Sequence, residues 1–177
     1  MKKLVNDDFR IASEVLHELH QKTNGKITFE TVFEKDTDFI AKVYFSTRKD
    51  EFTMLGWNNA QLEMFLKMQF DAQQQSYAMQ FPDAEKSVII LEEIAVGRLI
   101  VDRIESEIRL VDIALLPEFR KLGIGGKIIR DLIKEAEIKQ LPLTLTVEKT
   151  NVHAFRLYQK MGFEVVGDDA IYIAMKK

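Results

Sequence analysis

Three apolar runs crowd into one stretch of the chain, at residues 87–91, 95–103 and 107–116. Only Glu92-Glu93 and Glu105-Ser106 separate them, spacers short enough for hairpins. The runs are therefore predicted to be antiparallel neighbours. A glycine-rich turn follows at 123–126. After it comes an amphipathic helix to about Lys139, with Ile128, Ile129, Leu132, Ile133 and Ala136 on its inner face. Pro142 opens a strand from Leu143 to Val147. The strand–helix–strand unit over 107–147 runs parallel if it forms a standard crossover.

The flanking segments extend this frame. Residues 27–33 have strand composition. Asp36 is placed as the cap of a helix carrying Phe39, Ile40, Val43 and Tyr44, and 48–58 reads as a loop. A long helix runs from Asn59 to about Phe81, marked by Leu62, Phe65, Leu66, Phe70 and Tyr77, and Pro82-Asp83 ends it. Downstream, Asn151 caps a helix through Met161, and Gly162 stops it. Strands at 163–167 and 170–175 flank Asp168-Asp169. The order predicts an α/β (α+β) fold: a mixed, mostly antiparallel twisted sheet of about seven strands with helices on both faces. Residues 7–21 add an N-terminal helix, with Phe9, Ala12, Val15, Leu16 and Leu19 at helical spacing. The expected organisation is a helical extension over 1–26 and one domain over 27–177. At 177 residues, roughly 70% of the unfolded surface is buried on folding, enough for one core.

Composition excludes several chemistries. With no cysteine there is no disulfide, no thiolate nucleophile and no cysteine-ligated zinc or iron–sulfur site. A net charge of −3 lacks the basic excess of a nucleic-acid binder. No run approaches the ~20 apolar residues of a membrane span, and no apolar segment follows Lys2-Lys3. A soluble cytoplasmic protein is expected. His17 and His20, with Glu14 and Glu18, share one helical face. No third ligand cluster accompanies them, and no metal is expected.

Two segments carry chemistry. The first is Arg120-Lys121-Leu122-Gly123-Ile124-Gly125-Gly126, set between an apolar strand and an amphipathic helix. Glycines let the backbone approach a ligand closely. The first N–H groups of the helix have no internal partner and favour negative charge. This suits a pyrophosphate, with Arg120, Lys121 and Lys127 as countercharge; a simple tight turn has the same residues. Neither the Walker A nor the dinucleotide-binding glycine pattern fits. The second segment is Asn151-x-x-Ala154-x-x-x-Tyr158-x-x-x-Gly162-Phe163. Asn151 and Tyr158 lie two turns apart on one helical face. Tyr158 is either a proton donor or a core-edge tyrosine with a wet hydroxyl.

Together these segments resemble the GNAT superfamily of N-acetyltransferases, whose Arg/Gln-x-x-Gly-x-Gly/Ala motif aligns with Arg120, Gly123 and Gly125. The preceding Ile113 to Arg120 and the element order from 27 to 175 agree with it. The resemblance implies acetyl-CoA as donor and a small-molecule or peptide amine as acceptor. It assigns the CoA pyrophosphate to Leu122, Gly123, Ile124, Gly125 and Gly126, with Lys127 just inside the helix. It assigns the pantetheine arm to the backbone of Ile113, Ala114 and Leu115. Asn151 would bond that arm or fix the local backbone beside Ala154, and Tyr158 would protonate the departing thiolate. The pattern departs at Lys121, where glycine is common.

The proton acceptor is less defined. Asp112 is a carboxylate inside the apolar run Leu110 to Ile113. It is either a base or a salt-bridge partner of Arg109 or Arg103. Glu107 is the next candidate. The acceptor site is expected between the first two core helices and the last hairpin, which points to Arg48, Trp57, Asn58 and the Asp168-Asp169 turn. His153 is read as a surface histidine. The alternative function is a non-catalytic acyl-CoA-binding sensor; Tyr158 favours an enzyme. The N-terminal apolar stripe must bury on the sheet edge or on a second subunit, and homodimers are frequent in the superfamily.

Overall fold

The computed structural model describes residues 26–48, 52 and 56–177. The predicted N-terminal helix and the His17/His20 face lie outside these residues. The chain runs β1 (Ile27–Thr31), α1 (Thr37–Arg48), α2 (Asn59–Gln80), β2 (Glu85–Leu91), β3 (Ile94–Arg103), β4 (Ile108–Leu115), α3 (Ile124–Lys139), β5 (Leu143–Glu148), α4 (Val152–Lys160), β6 (Glu164–Asp168) and β7 (Tyr172–Lys176). One seven-stranded sheet has the order β1-β2-β3-β4-β5-β7-β6. Every neighbouring pair is antiparallel except β4 with β5.

The helices cover both faces, as the alternation of β2 shows. Ile89 and Leu91 are buried with Leu99, Val101, Ile128, Leu132 and Met175 on the α3/α4 side. Val88 and Ile90 are buried with Ile40, Tyr44 and Phe70 on the α1/α2 side. Each such aliphatic side chain stabilises the fold by about 1.5–3 kcal/mol through burial alone.

Local chemistry sets the boundaries. Asn58 Oδ1 accepts from Gln61 N–H and Gln61 Oε1 accepts from Asn58 N–H, a reciprocal cap on α2. Asn151 Oδ1 accepts from Ala154 N–H and starts α4. The Glu92-Glu93 hairpin turn takes φ of 47° and 70°, both left-handed, as a two-residue turn of this twist requires. Some ends differ from expectation. Asp36 does not cap α1 directly: its Oδ2 accepts from Phe33 N–H at 2.9 Å, and a 3₁₀ turn over Glu34–Asp36 precedes Thr37. β7 starts two residues late because Asp169 Oδ1 accepts from both Ile171 and Tyr172 N–H at 2.7 Å.

Two irregularities shape the centre of the sheet. β4 and β5 pair only along Ile108–Leu110 and Leu143–Leu145, then part. Just before the parting, the β3–β4 register slips, with Val101 opposite Leu110 and Ile100 opposite Asp112. Val111 is the extra residue of a β-bulge.

Candidate active site

The parting of β4 from β5 leaves a split in the sheet. Leu116 N–H donates to Val96 O at 2.9 Å. Alternation along an antiparallel pair then turns the main-chain groups of Ala114 toward β3. Those of Ile113 and Leu115 turn away from β3, into the split. The approach at Ala114 is close: a methyl group on Gly97 would lie 2.3 Å from Ala114 O. Of the three strand residues expected to meet a ligand, Ile113 and Leu115 thus offer their backbone and Ala114 does not.

The glycine turn closes one end of the split. Gly123 has φ of 83° and precedes the first turn of α3, whose leading N–H groups have no helical acceptor. Added methyl groups at Gly123 and Gly125 would meet little: nothing within 4 Å at Gly123, and only Leu115 Cδ1, 4.0 Å away, at Gly125. Ile124, 1% exposed, anchors the helix start in the core. Lys121 adopts φ of 62°, the region glycine favours, so its side chain sits on left-handed backbone. Leu122 packs against the core. Lys127 projects along α3 with Nζ 3.4 Å from Asp131 Oδ2. Open backbone space, a helix N-terminus and nearby lysines fit a pyrophosphate.

Arg120 behaves differently from a phosphate ligand. Its guanidinium turns inward: Nε donates to Leu115 O at 2.8 Å, and Nη2 donates to Ser46 O and Oγ at 3.2 and 3.1 Å.

Tyr158 is 7% exposed and packs against Phe163. Its hydroxyl makes no hydrogen bond to the described residues. Burial, with the charge of Asp112 added, pushes the phenol up to about 12. A tyrosine so placed stays protonated and has its proton to give. Gly126 lies beside Met161, one turn after Tyr158: a methyl group on it would sit 3.4 Å from Met161 Cε. The end of α4 that carries Tyr158 therefore lies beside the glycine turn.

Asp112 reaches the α1/α2 side of the sheet because of the bulge at Val111. Its partner is Arg98, with Nε 2.7 Å from Oδ2, and neither Arg109 nor Arg103. Arg103 forks to Glu85 and Glu135. Arg109 lies near Glu107 and over the Phe81 ring. Glu107 accepts from Thr144 Oγ1 at 3.0 Å. Arg98 is 3% exposed, donates through Nη2 to Gln73 Oε1 at 2.8 Å, and lies over the Tyr44 ring. The Arg98–Asp112 contact is close but poorly aligned as a hydrogen bond. It is therefore chiefly a charge contact. Burial raises the Asp112 carboxyl above its ordinary range, against the pull of Arg98 and Arg48.

Of the expected acceptor residues, only Arg48 is at the split: both its Nη atoms donate to Glu148 on β5. Trp57 packs on Phe65 beside an apolar groove of α2, and Asn58 caps α2. Lys149 pairs with Asp168 at 2.5 Å, and Asp169 holds its own turn. His153 is exposed.

Two residues not singled out from the sequence join the site, Arg98 and Glu148, and Tyr77, expected only to pack in its helix, joins them. The only sequence signal for Arg98 was a lone charge within the apolar run 94–101. Tyr77 lies one turn after Gln73, which holds Arg98, and one turn before Phe81, which lies under Arg109. It is thereby set over β4. Burial and then Asp112 raise its phenol.

A family model described as the Acetyltransferase (GNAT) family matches residues 33–163. No curated protein sequence matches the chain. Among solved structures, the chain is similar to PaiA N-acetyltransferase of Thermoplasma acidophilum in complex with coenzyme A. Identity there is 18% and the TM-score 0.64, over 86% of this chain and 98% of that one. It is similar to N-acetyltransferase PseH of Campylobacter jejuni in complex with acetyl coenzyme A, at 16% and 0.53, over 86% and 98%. It is also similar to Arabidopsis thaliana Naa50 in complex with the bisubstrate analogue CoA-Ac-MVNAL, at 15% and 0.55, over 85% and 97%. At such identities the likeness is one of fold.

Proposed function

The chain belongs to the GNAT acetyltransferase family, and on that premise we propose that it moves an acetyl group from acetyl-CoA to a primary amine by direct attack in a ternary complex. The observation that carries this reading is the split between β4 and β5, with the glycine turn at its end and the Tyr158 hydroxyl beside it. Acetyl-CoA supplies an activated acetyl thioester.

In this reading the N–H groups from Leu122 to Gly126, with Lys121 and Lys127, hold the pyrophosphate. Ile113 and Leu115 pair with the pantetheine arm through their backbone. One of their N–H groups polarises the thioester oxygen. Asn151 holds the start of α4 through Ala154 and so sets the direction of Tyr158. Tyr158 donates its proton to the departing sulfur, a contribution of ~10²–10⁴-fold. Asp112 takes the proton of the attacking amine on Oδ1, the oxygen that the Arg98 contact leaves. Alignment of amine and thioester supplies ~7–11 kcal/mol of the barrier. The acceptor, a small-molecule or peptide amine, enters on the α1/α2 side past Arg48. The proposed setting is the cytoplasm. Among the described residues no helix is long and apolar enough to cross a membrane.

Calorimetric titration with acetyl-CoA, followed by thiol release over a panel of primary amines, tests the proposal. Micromolar binding with amine-dependent thiol release is expected. Binding without turnover of any amine favours the sensor alternative, and a folded sample that does not bind overturns both.

A further inference from the structure

We propose that α1's last turn is a strap across the split, fastened to β4 by Arg120 and to β5 by Arg48, and that Arg120 is a positioning residue rather than a phosphate ligand. The proposal rests on the cofactor reading above only for its effect on CoA. The strap itself is a set of contacts within the chain. Arg120 grips Leu115 O at 2.8 Å, the last carbonyl of β4. The same guanidinium grips Ser46 O and Oγ. Ser46 lies in the last turn of α1, where carbonyls lack a helical donor, so a cation there is doubly favourable. Ser46 Oγ in turn donates to Val43 O at 2.7 Å. Two residues on, Arg48 forks onto Glu148, the last residue of β5.

The path β4–Arg120–Ser46–Arg48–Glu148–β5 therefore spans the two strand ends that the sheet's own ladder no longer joins. A ligand lying in the split meets a gap whose width this path sets. It also fixes Leu115, whose carbonyl, turned into the split, is taken by Arg120 while its N–H is left for the ligand. Lysine has one point charge where arginine has a planar fork, so it cannot hold Leu115 and Ser46 together.

The test uses CoA itself as the probe, with Arg120→Gln, Arg120→Lys, Glu148→Gln and the Arg120→Gln/Glu148→Gln double variant. Each single variant is expected to weaken CoA binding by about fivefold to tenfold in calorimetry. The double variant should be no weaker than the worse single one, because both cut the same path. Retained affinity in Arg120→Lys with loss in Arg120→Gln would mean that charge is what counts, and overturns the strap. Multiplying losses in the double variant, or no loss in any, overturn it as well.

Amide exchange of Glu148→Gln without CoA keeps the proposal testable should Arg120 variants not fold or wild type not bind CoA. Exchange is expected to speed severalfold at Phe45–Arg48 and at Leu115–Leu116. Acceleration confined to β5 overturns the strap. Absence of CoA binding by wild type with coupled exchange intact would sink the cofactor reading and leave the strap standing.

Discussion

Arg98 Nε lies 2.7 Å from Asp112 Oδ2 across the β3–β4 pair, with Arg98 3% exposed and Asp112 mostly covered. A buried guanidinium and carboxylate so placed neutralise each other, and either one alone is a charge without a counterion. Arg98→Met is expected to cost about 3–5 kcal/mol by urea denaturation. Adding Asp112→Asn to it should recover part of that loss. If the double variant is less stable than Arg98→Met, the pair is not the source of the cost.

Tyr158→Phe removes one hydroxyl that has no hydrogen-bond partner among the described residues. Stability should therefore stay within about 0.5 kcal/mol, and acetyl-CoA affinity within about twofold. Turnover should fall by ~10²-fold or more. With the phenol pushed up to about 12, the alkaline limb of the wild-type rate profile below pH ~11 belongs to other groups. Steady-state kinetics with any accepted amine checks both points.

The glycines divide by what surrounds them. Gly125→Ala places a methyl group where only Leu115 Cδ1 stands, at 4.0 Å. It should melt like wild type while losing CoA affinity about tenfold or more, since the ligand needs that space. Gly97→Ala would drive a methyl group to 2.3 Å from Ala114 O and should unfold the protein at lower temperature, by roughly 2 kcal/mol or more. Thermal melts and calorimetry on the two variants read the contrast.

Lys121 combines left-handed backbone with a positive charge beside the glycine turn, the proposed phosphate cradle. Lys121→Gly should raise stability by about 1 kcal/mol and weaken CoA binding, more so at low salt. Gains in both would remove the lysine from the cradle.

Much of the fold was legible because it depends on local signals. The hairpin spacing, the glycine turn and the Asn151 cap each rest on a few adjacent residues, and each element they imply is present. The partner of Asp112 was not legible. A bulge at Val111 moves Asp112 to the opposite face from the one a regular ladder would give, and slips of this kind leave no periodic trace. Arg109 and Arg103 were the nearer arginines in sequence, while the bulge aimed the carboxylate at Arg98. Arg120 shows a second limit. A motif names a residue type, whereas the direction of a long side chain depends on acceptors such as Ser46 O, 74 residues away. Trp57 and Asn58 are both engaged by α2: the spacing of Asn58 to Gln61 signals its capping role, whereas nothing adjacent to Trp57 signals that it packs on Phe65.

Glu135 ties α3 to β3, with Arg103 Nε and Nη2 at 2.8 and 3.0 Å. The arginine, helped by Lys139 and opposed by burial, holds this carboxyl down at about 2. Its folded value is depressed, so its stabilisation is full above the unfolded value near 4.5. It fades as pH falls from there to about 2. With the group a quarter exposed, about 1–2 kcal/mol is at stake. Glu135→Gln should lose that much at pH 7 and flatten the fall in stability below pH 5, read by denaturant titration across pH.

Where β4 leaves β5, the sheet hands part of its own ladder to whatever occupies the split. A ligand seated there acts as a missing strand, and its binding energy is counted in the stability of the whole chain. At one hundred times its dissociation constant such a ligand adds about 2.7 kcal/mol, comparable with a well-packed core side chain. The melting temperature then gauges occupancy. Resistance to proteases would rise and fall with the supply of that ligand.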